Sequence, residues 1–66
     1  MKHINESSTA VYIDIYDAEA RYWLGVIEDL MDMGIEDGEL WDDAWDEFSR
    51  NAETAQQLRN ELAAAA

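Results

Sequence analysis

The chain has 66 residues, no cysteine and a net charge of −12, from 16 acidic and four basic side chains. This length suits one domain, the missing cysteines exclude disulfides and thiolate metal sites, and the charge makes nucleic acid and anionic membranes unfavourable as direct ligands. No apolar run is long enough for a membrane span, and no signal-peptide pattern is present. We therefore expect one acidic cytoplasmic domain over residues 1–66, with residues 1–8 as a frayed end or a short strand and residues 63–66 as a tail.

The best strand signal lies in residues 9–16, TAVYIDIY. Three β-branched residues alternate there with two tyrosines and an aspartate, which is typical of a half-buried strand. A lone strand leaves backbone groups unpaired, so it needs either a hairpin partner in residues 2–5 or the same strand of a second chain. The turn-forming residues 5–8 favour the hairpin slightly. The outer face of this strand would present Tyr12 and Tyr16, which are candidate contacts for a dimer or another apolar partner.

A first helix is predicted from Asp17, a suitable N-cap, to about Met33, with Gly34 placed to end it in a left-handed cap. Its apolar residues recur at spacings of three and four: Ala20, Trp23, Leu24, Ile27, Leu30 and Met31. A flank widens the apolar arc to about 200°, beyond the roughly 100° of a surface helix; it comprises Tyr22, Val26 and Met33. We therefore expect this helix to pack on two sides.

After a connector over residues 35–38, a second helix is predicted to begin between Asp37 and Glu39. Its apolar phase runs through Trp41, Ala44, Trp45, Phe48, Ala52, Ala55, Leu58 and Leu62. One helix of about 25 residues would fit this phase. A break at residues 49–51 is also possible, because Ser49 and Asn51 favour caps over helix interiors; a chain folded back there would be more compact, so we expect a break or kink. The resulting class is α+β: a strand or short hairpin packed on two or three helices.

The sequence contains no motif for catalysis or for a cofactor. It has one histidine, His3, and no Gly-rich phosphate loop or nucleophile elbow. A calcium loop around Gly38 fails, because its first and third ligands would be Met33 and Ile35. The three tryptophans fall on inward helix faces and are expected in the core. We therefore predict no enzymatic activity, no specific metal site and no cofactor.

The most unusual stretch is residues 28–47, EDLMDMGIEDGELWDDAWDE, in which ten of twenty positions are acidic and none is basic. The acids that open the second helix would face the positive end of its dipole, so they need no function. Glu28, Asp29 and Asp32 would lie near the end of the first helix, where carboxylates are unfavourable, and no base lies three or four residues away. Carboxylates kept at an unfavourable helix end without a compensating base indicate a functional role for these residues. The predicted partner-binding residues are Glu28, Asp29, Asp32, Glu36, Asp37, Asp42, Asp43, Asp46 and Glu47.

An ordered negative surface can occupy a site built for phosphates. Ten carboxylates on helices laid end to end would span up to roughly 30 Å. This spacing of about one charge per 3 Å is around half the charge density of duplex DNA. In size, acidity and lack of cysteine the chain resembles the DNA-mimic inhibitors that phages and mobile elements use against restriction and CRISPR complexes. This resemblance is one of overall character. It implies an inhibitor of a basic, nucleic-acid-binding protein or complex, acting in the host cytoplasm.

The alternative is a structural or regulatory interaction module, such as an antitoxin-like or adaptor domain. It would bind through the tyrosine face or the flank of the first helix, and it could act as a homodimer. Salt separates the two hypotheses, because binding through charge weakens as salt rises and apolar binding does not.

Overall fold

A computed structural model describes the backbone of residues 6–65 and the side chains of residues 8–65. These residues form two α-helices of 27 residues each, α1 over Glu6–Asp32 and α2 over Glu39–Ala65. The helices pack against each other as an antiparallel hairpin that measures 52 × 16 × 14 Å. We call the end at which residues 33–38 connect the helices the closed end, and the opposite end the open end.

The predicted α+β class is wrong, because residues 9–16 belong to α1 and the described chain contains no strand. The alternating pattern in this segment coexists with a helical repeat, since Ile13, Ala20 and Ile27 follow at intervals of seven. All three are buried, whereas Val11 and Ile15, which a strand would place on the same side as Ile13, are about half exposed. The helical repeat therefore decides the structure of this segment.

The N-cap predicted at Asp17 is also wrong, because α1 runs through this residue without interruption. The chain has no proline, and α1 contains no glycine before Gly25, so no residue in its first half stops a helix. Asp17 instead forms an ion pair with Arg59 of α2, and this ion pair joins the two helices towards the open end. The hairpin strand considered for residues 2–5 lies outside the described residues.

The closed end agrees with the prediction. Gly34 has a φ of 77°, and its amide donates to the carbonyl of Met31 at 2.9 Å. The amide of Ile35 donates to the carbonyl of Leu30 at 2.8 Å, and the Ile35 side chain packs against the core cluster that contains Leu30. These two hydrogen bonds and this contact define a Schellman cap. Gly34 therefore ends α1 as the sequence indicates.

The break predicted at residues 49–51 is wrong, because α2 is one continuous helix. Its polar side chains bond within the helix instead of capping it. The Asn51 amide donates to the Glu47 carbonyl at 2.8 Å, and the Thr54 hydroxyl donates to the Arg50 carbonyl at 2.9 Å. The inward face is also unbroken, since both Ala44 and Ala55 are fully buried. Packing along this face outweighs the local preference for a cap.

The core is thin and lies between the two helices. Its central cluster is Ile27, Leu30 and Ala44, with partly buried side chains packed around it: Trp23, Val26, Ile35, Trp41 and Phe48. Trp23 and Trp41 therefore occupy the core side, as predicted. Trp45 is 39% exposed and makes edge-to-face contacts with Trp41 and Phe48, so it lies at the margin. The hairpin covers α1 on one side only, rather than on the two sides expected.

Candidate functional site

The acidic stretch, residues 28–47, surrounds the closed end of the hairpin. It comprises the last five residues of α1, the connector and the first nine residues of α2. The longer helical part covers eight residue steps, or about 12 Å along the axis. The chain reverses at the connector, so the two halves lie side by side and the acids do not extend along one line. We call residues 28–47 the acidic tip.

All nine predicted partner-binding carboxylates lie in the acidic tip; Glu47 is half-buried and the other eight are exposed. Glu28 and Asp32 are four residues apart and share one side of α1, and Asp42 and Asp46 share one side of α2 in the same way. Because the helices pack through their inner faces, these two sides are directed outwards on opposite helices. The tip therefore presents negative charge on both of its outer sides.

Within the described part of the chain, only the last two acids of the acidic tip form ion pairs with basic side chains. Arg50, one turn beyond Asp46, lies 2.6 Å from its carboxylate and 3.5 Å from that of Glu47. No carboxylate from Glu28 to Asp43 forms an ion pair with any residue that the structure describes. Asp46 and Glu47 thus have a structural partner, and the uncompensated charge is confined to the acids of residues 28–43.

The helix dipole stabilises the acids at the start of α2 and destabilises those at the end of α1. The first turn of α2 contains Glu39 and Asp42, which face the positive end of its dipole. The last turn of α1 contains Asp29 and Asp32 but no base. Each of these exposed carboxylates is unfavourable by about 0.3–1 kcal/mol. The acids at the end of α1 therefore lack a local structural explanation.

The acidic tip presents diffuse charge rather than a coordination site. Over the side chains of residues 8–65, no group of three or more acids or histidines is arranged to hold a metal ion. His3 lies outside the described residues. Among the polar side-chain atoms that are described and buried, none lacks a hydrogen-bond partner. What the tip offers chemically is hydrogen-bond acceptance and negative charge.

A second candidate surface lies on α1 near the open end. The predicted strand would have buried part of this surface, so the surface was not predicted. Ser8, Val11, Tyr12 and Ile15 line a shallow groove of about 330 Å³. Tyr22 extends the apolar surface along α1 and is 62% exposed. The spacing of residues 11, 15 and 22, which places them on one side of a helix, was the signal that could have revealed it.

Of the two tyrosines predicted as apolar contacts, the structure places only one in this groove. Tyr12 lines it and is 56% exposed. Tyr16 lies one turn further along α1 and is half-buried. The two residues share one side of a helix and not one face of a strand.

Neither helix, over the part of the chain described, contains a stretch apolar enough to cross a membrane. No protein-family model, curated protein or solved structure matches the chain.

Proposed function

We propose that the protein is an inhibitor that blocks a basic, nucleic-acid-binding protein or complex by presenting its acidic tip in place of phosphates. Its site of action in this proposal is the cytoplasm of the cell that contains the target. The observation that carries the proposal is the uncompensated charge at the closed end. Residues 28–47 contain ten acids and no base, so they account for −10 of the net −12, and the eight acids of residues 28–43 form no ion pair with any residue that the structure describes.

The magnitude of this charge supports phosphate mimicry. Duplex DNA carries about one charge per 1.7 Å of axis, so ten charges correspond to about 17 Å, or five base pairs. The tip gathers eight charges on helical segments that extend about 12 Å along the axis and two more in the connector, at the end of a hairpin 14–16 Å wide. Its density therefore reaches that of the duplex over a short distance. We expect the target to have a compact basic pocket rather than a long groove.

The proposed mechanism is occupation without chemistry. The negative tip would attract a basic target over long range and accelerate the encounter. Most of its carboxylates are fixed on helices, so fewer degrees of freedom are lost on binding than for a disordered acidic tail. Acids that weaken the end of α1 fit this mechanism, because a functional surface can conflict with local stability.

The experiment is affinity capture from host lysate at about 50 mM salt, followed by elution in a salt gradient. We expect captured basic proteins to elute by about 200 mM salt, as contacts of phosphate type do. Asp29→Lys with Asp32→Lys should abolish capture and inhibition. The matched control, Glu53→Lys with Glu61→Lys, makes the same charge change on exposed positions of α2 outside the tip and should retain both.

Two outcomes would contradict the proposal. If the Asp29 and Asp32 variant captures normally, the acids of α1 are not the site. If the control loses capture equally, net charge alone governs binding and the tip has no special role.

A second candidate function is a protein-interaction module that binds through α1. The observation in its favour is the exposed groove at Val11, Tyr12 and Ile15. Binding of this kind should be nearly indifferent to salt. Tyr12→Ser should weaken it, because Tyr12 lines the groove, and should leave capture through the acidic tip unchanged.

A further inference from the structure

We infer that the protein forms a two-fold symmetric dimer in which the N-terminal halves of two α1 helices pack antiparallel. This inference is independent of the proposed inhibitory function. The surface involved is Val11, Ile15, Ala18 and Tyr22, with Tyr12 beside them; we call it the α1 apolar face.

The α1 apolar face is exposed on one side of the helix. Its members at positions 11, 15, 18 and 22 are spaced by four, three and four residues, which places them on one side. The larger side chains are 49–62% exposed. The half-exposed Tyr12 and Tyr22 alone present on the order of 200 Å². Adding Val11 and Ile15 brings the face to the size of surfaces that commonly bind a partner.

The order of residues along this face is self-complementary. Val11 and Tyr22 are equally distant from the midpoint between residues 16 and 17, and so are Ile15 and Ala18. An antiparallel pair centred there places Val11 opposite the partner's Tyr22 and Ile15 opposite the partner's Ala18. Each contact then sets a larger side chain against a smaller one, and both contacts occur twice, as a two-fold interface requires.

The distribution of charge favours this orientation of a second copy. The acidic tip carries −10, which leaves −2 for the remainder of the chain. In the antiparallel pair, Asp29 and the partner's Asp29 are 25 residue steps apart, or about 37 Å along the axis. The screening length at physiological salt is about 8 Å. A parallel pair would instead bring the two tips to a helix-packing distance of about 8–10 Å, where they repel.

The core of one hairpin is small, so a second copy that buries the α1 apolar face would add to its stability. The buried apolar residues among those described are Ile13, Ala20, Ile27, Leu30, Ala44 and Ala55, three of which are alanines. Small domains of this size commonly depend on oligomerisation for stability. Two hairpins joined through α1 would cover the side of α1 that α2 leaves open, with the four helices side by side.

The first test is sedimentation velocity of the whole chain from 1 to 500 µM. An interface below standard size should give a dimer with a Kd on the order of 1–100 µM. Ile15→Glu should raise this Kd at least about 100-fold, because it places an unpaired charge in the interface. The matched control is Leu40→Glu, at a side chain 67% exposed at the start of α2, and it should leave the Kd within about threefold.

The second test fixes the orientation and does not depend on the folding of the Ile15 variant. The chain has no cysteine, so single cysteines can be introduced and oxidised. Ala18→Cys places the two sulfurs about 4.5 Å apart along the axis, and Ser8→Cys places them about 26 Å apart. Since a disulfide needs Cα atoms within about 7 Å, only Ala18→Cys should cross-link efficiently.

A monomer at 500 µM would overturn the inference, and so would equal cross-linking of the two cysteine variants, which would indicate a parallel pair. Equal weakening by Ile15→Glu and Leu40→Glu would overturn the assignment to the α1 apolar face. A monomer in which Ile15→Glu abolishes binding to another protein would also overturn it and support the interaction module. Salt-sensitive capture through the acidic tip would be unaffected by each of these results, so the two proposals fail separately.

Discussion

Reversing the charge of Asp29 and Asp32 should stabilise the hairpin. Both carboxylates lie in the last turn of α1, which contains no base, and both are exposed. The carbonyl groups at this end give it a partial negative charge, so carboxylates are repelled and lysines are attracted. The variant Asp29→Lys with Asp32→Lys therefore replaces two unfavourable contacts with two favourable ones.

The expected gain follows from the size of the dipole effect. An exposed charge in a terminal turn contributes about 0.3–1 kcal/mol, so each reversal changes the free energy of unfolding by up to twice that amount. With screening by solvent, we expect about 1–2 kcal/mol for the pair. For a domain of this size, 1 kcal/mol moves the Tm by roughly 4–8 °C. The variant should therefore melt about 5–15 °C above the parent protein.

The assay is thermal unfolding followed by circular dichroism at low salt, with a control that makes the same charge change at the other kind of helix end. Glu39→Lys with Asp42→Lys replaces acids in the first turn of α2, where they are favourable. Both double variants have a net charge of −8, which is −12 plus 4, so both relieve general repulsion equally. We expect the two to differ by about 2–4 kcal/mol, and the difference should shrink strongly at 1 M salt.

Equal shifts of Tm in the two variants would show that the helix dipole does not set the effect of these acids. That result would mean that net charge governs stability and that the position of the acids at helix ends is immaterial.

Three further predictions concern the fold and can be checked by denaturant unfolding. Gly34→Ala should lower the free energy of unfolding by about 1–2 kcal/mol, because Gly34 has a φ of 77°. Gly25→Ala lies within α1 with nothing within 4 Å of the added Cβ, so it should raise the free energy of unfolding by about 0.5–1 kcal/mol. Equal effects of the two substitutions would contradict the role of Gly34 in the cap. Ala55→Leu should cost about 1–3 kcal/mol because Ala55 is 0% exposed, and Ala63→Leu, at an exposed site, should be nearly neutral. Ile27→Ala should cost about 2–5 kcal/mol because Ile27 is 1% exposed in the central cluster; a cost below 1 kcal/mol would place the core elsewhere.

The parts of the fold that the sequence predicts well are those with a local physical cause. Gly34 ends α1 because few other residues adopt a positive φ readily. The inward phase of α2, including Ala44 and Ala55, follows from helical spacing alone. The acids that lie at favourable and unfavourable helix ends also follow, because they depend only on where each helix begins and ends.

The errors arise where two local patterns compete and distant contacts decide. Residues 9–16 fit both a strand and a helix, and eight residues are too few for periodicity to choose between them. Burial of Ile13 and the ion pair between Asp17 and Arg59, 42 residues away, depend on α2. The α1 apolar face was missed for the same reason, since a strand would have turned Val11 and Ile15 towards the core.

The layout of the acidic tip also depends on tertiary structure. Sequence identifies its residues but not the reversal at the connector, which places the two acidic segments beside each other. The sequence therefore suggests an extended array of charge, and the hairpin presents a short and dense one.

An acidic tip that binds in place of phosphates must compete with nucleic acid for one site on the target, and displacement of the captured target by DNA measures this competition. The target is captured on the immobilised protein at about 50 mM salt, and short duplex DNA is then titrated. We expect the duplex to release the target, and the Glu53→Lys with Glu61→Lys control to behave like the parent protein. Retention of the target under saturating duplex, as a complex that contains both ligands, would mean that the acidic tip and nucleic acid bind at separate sites and that the protein does not mimic phosphates.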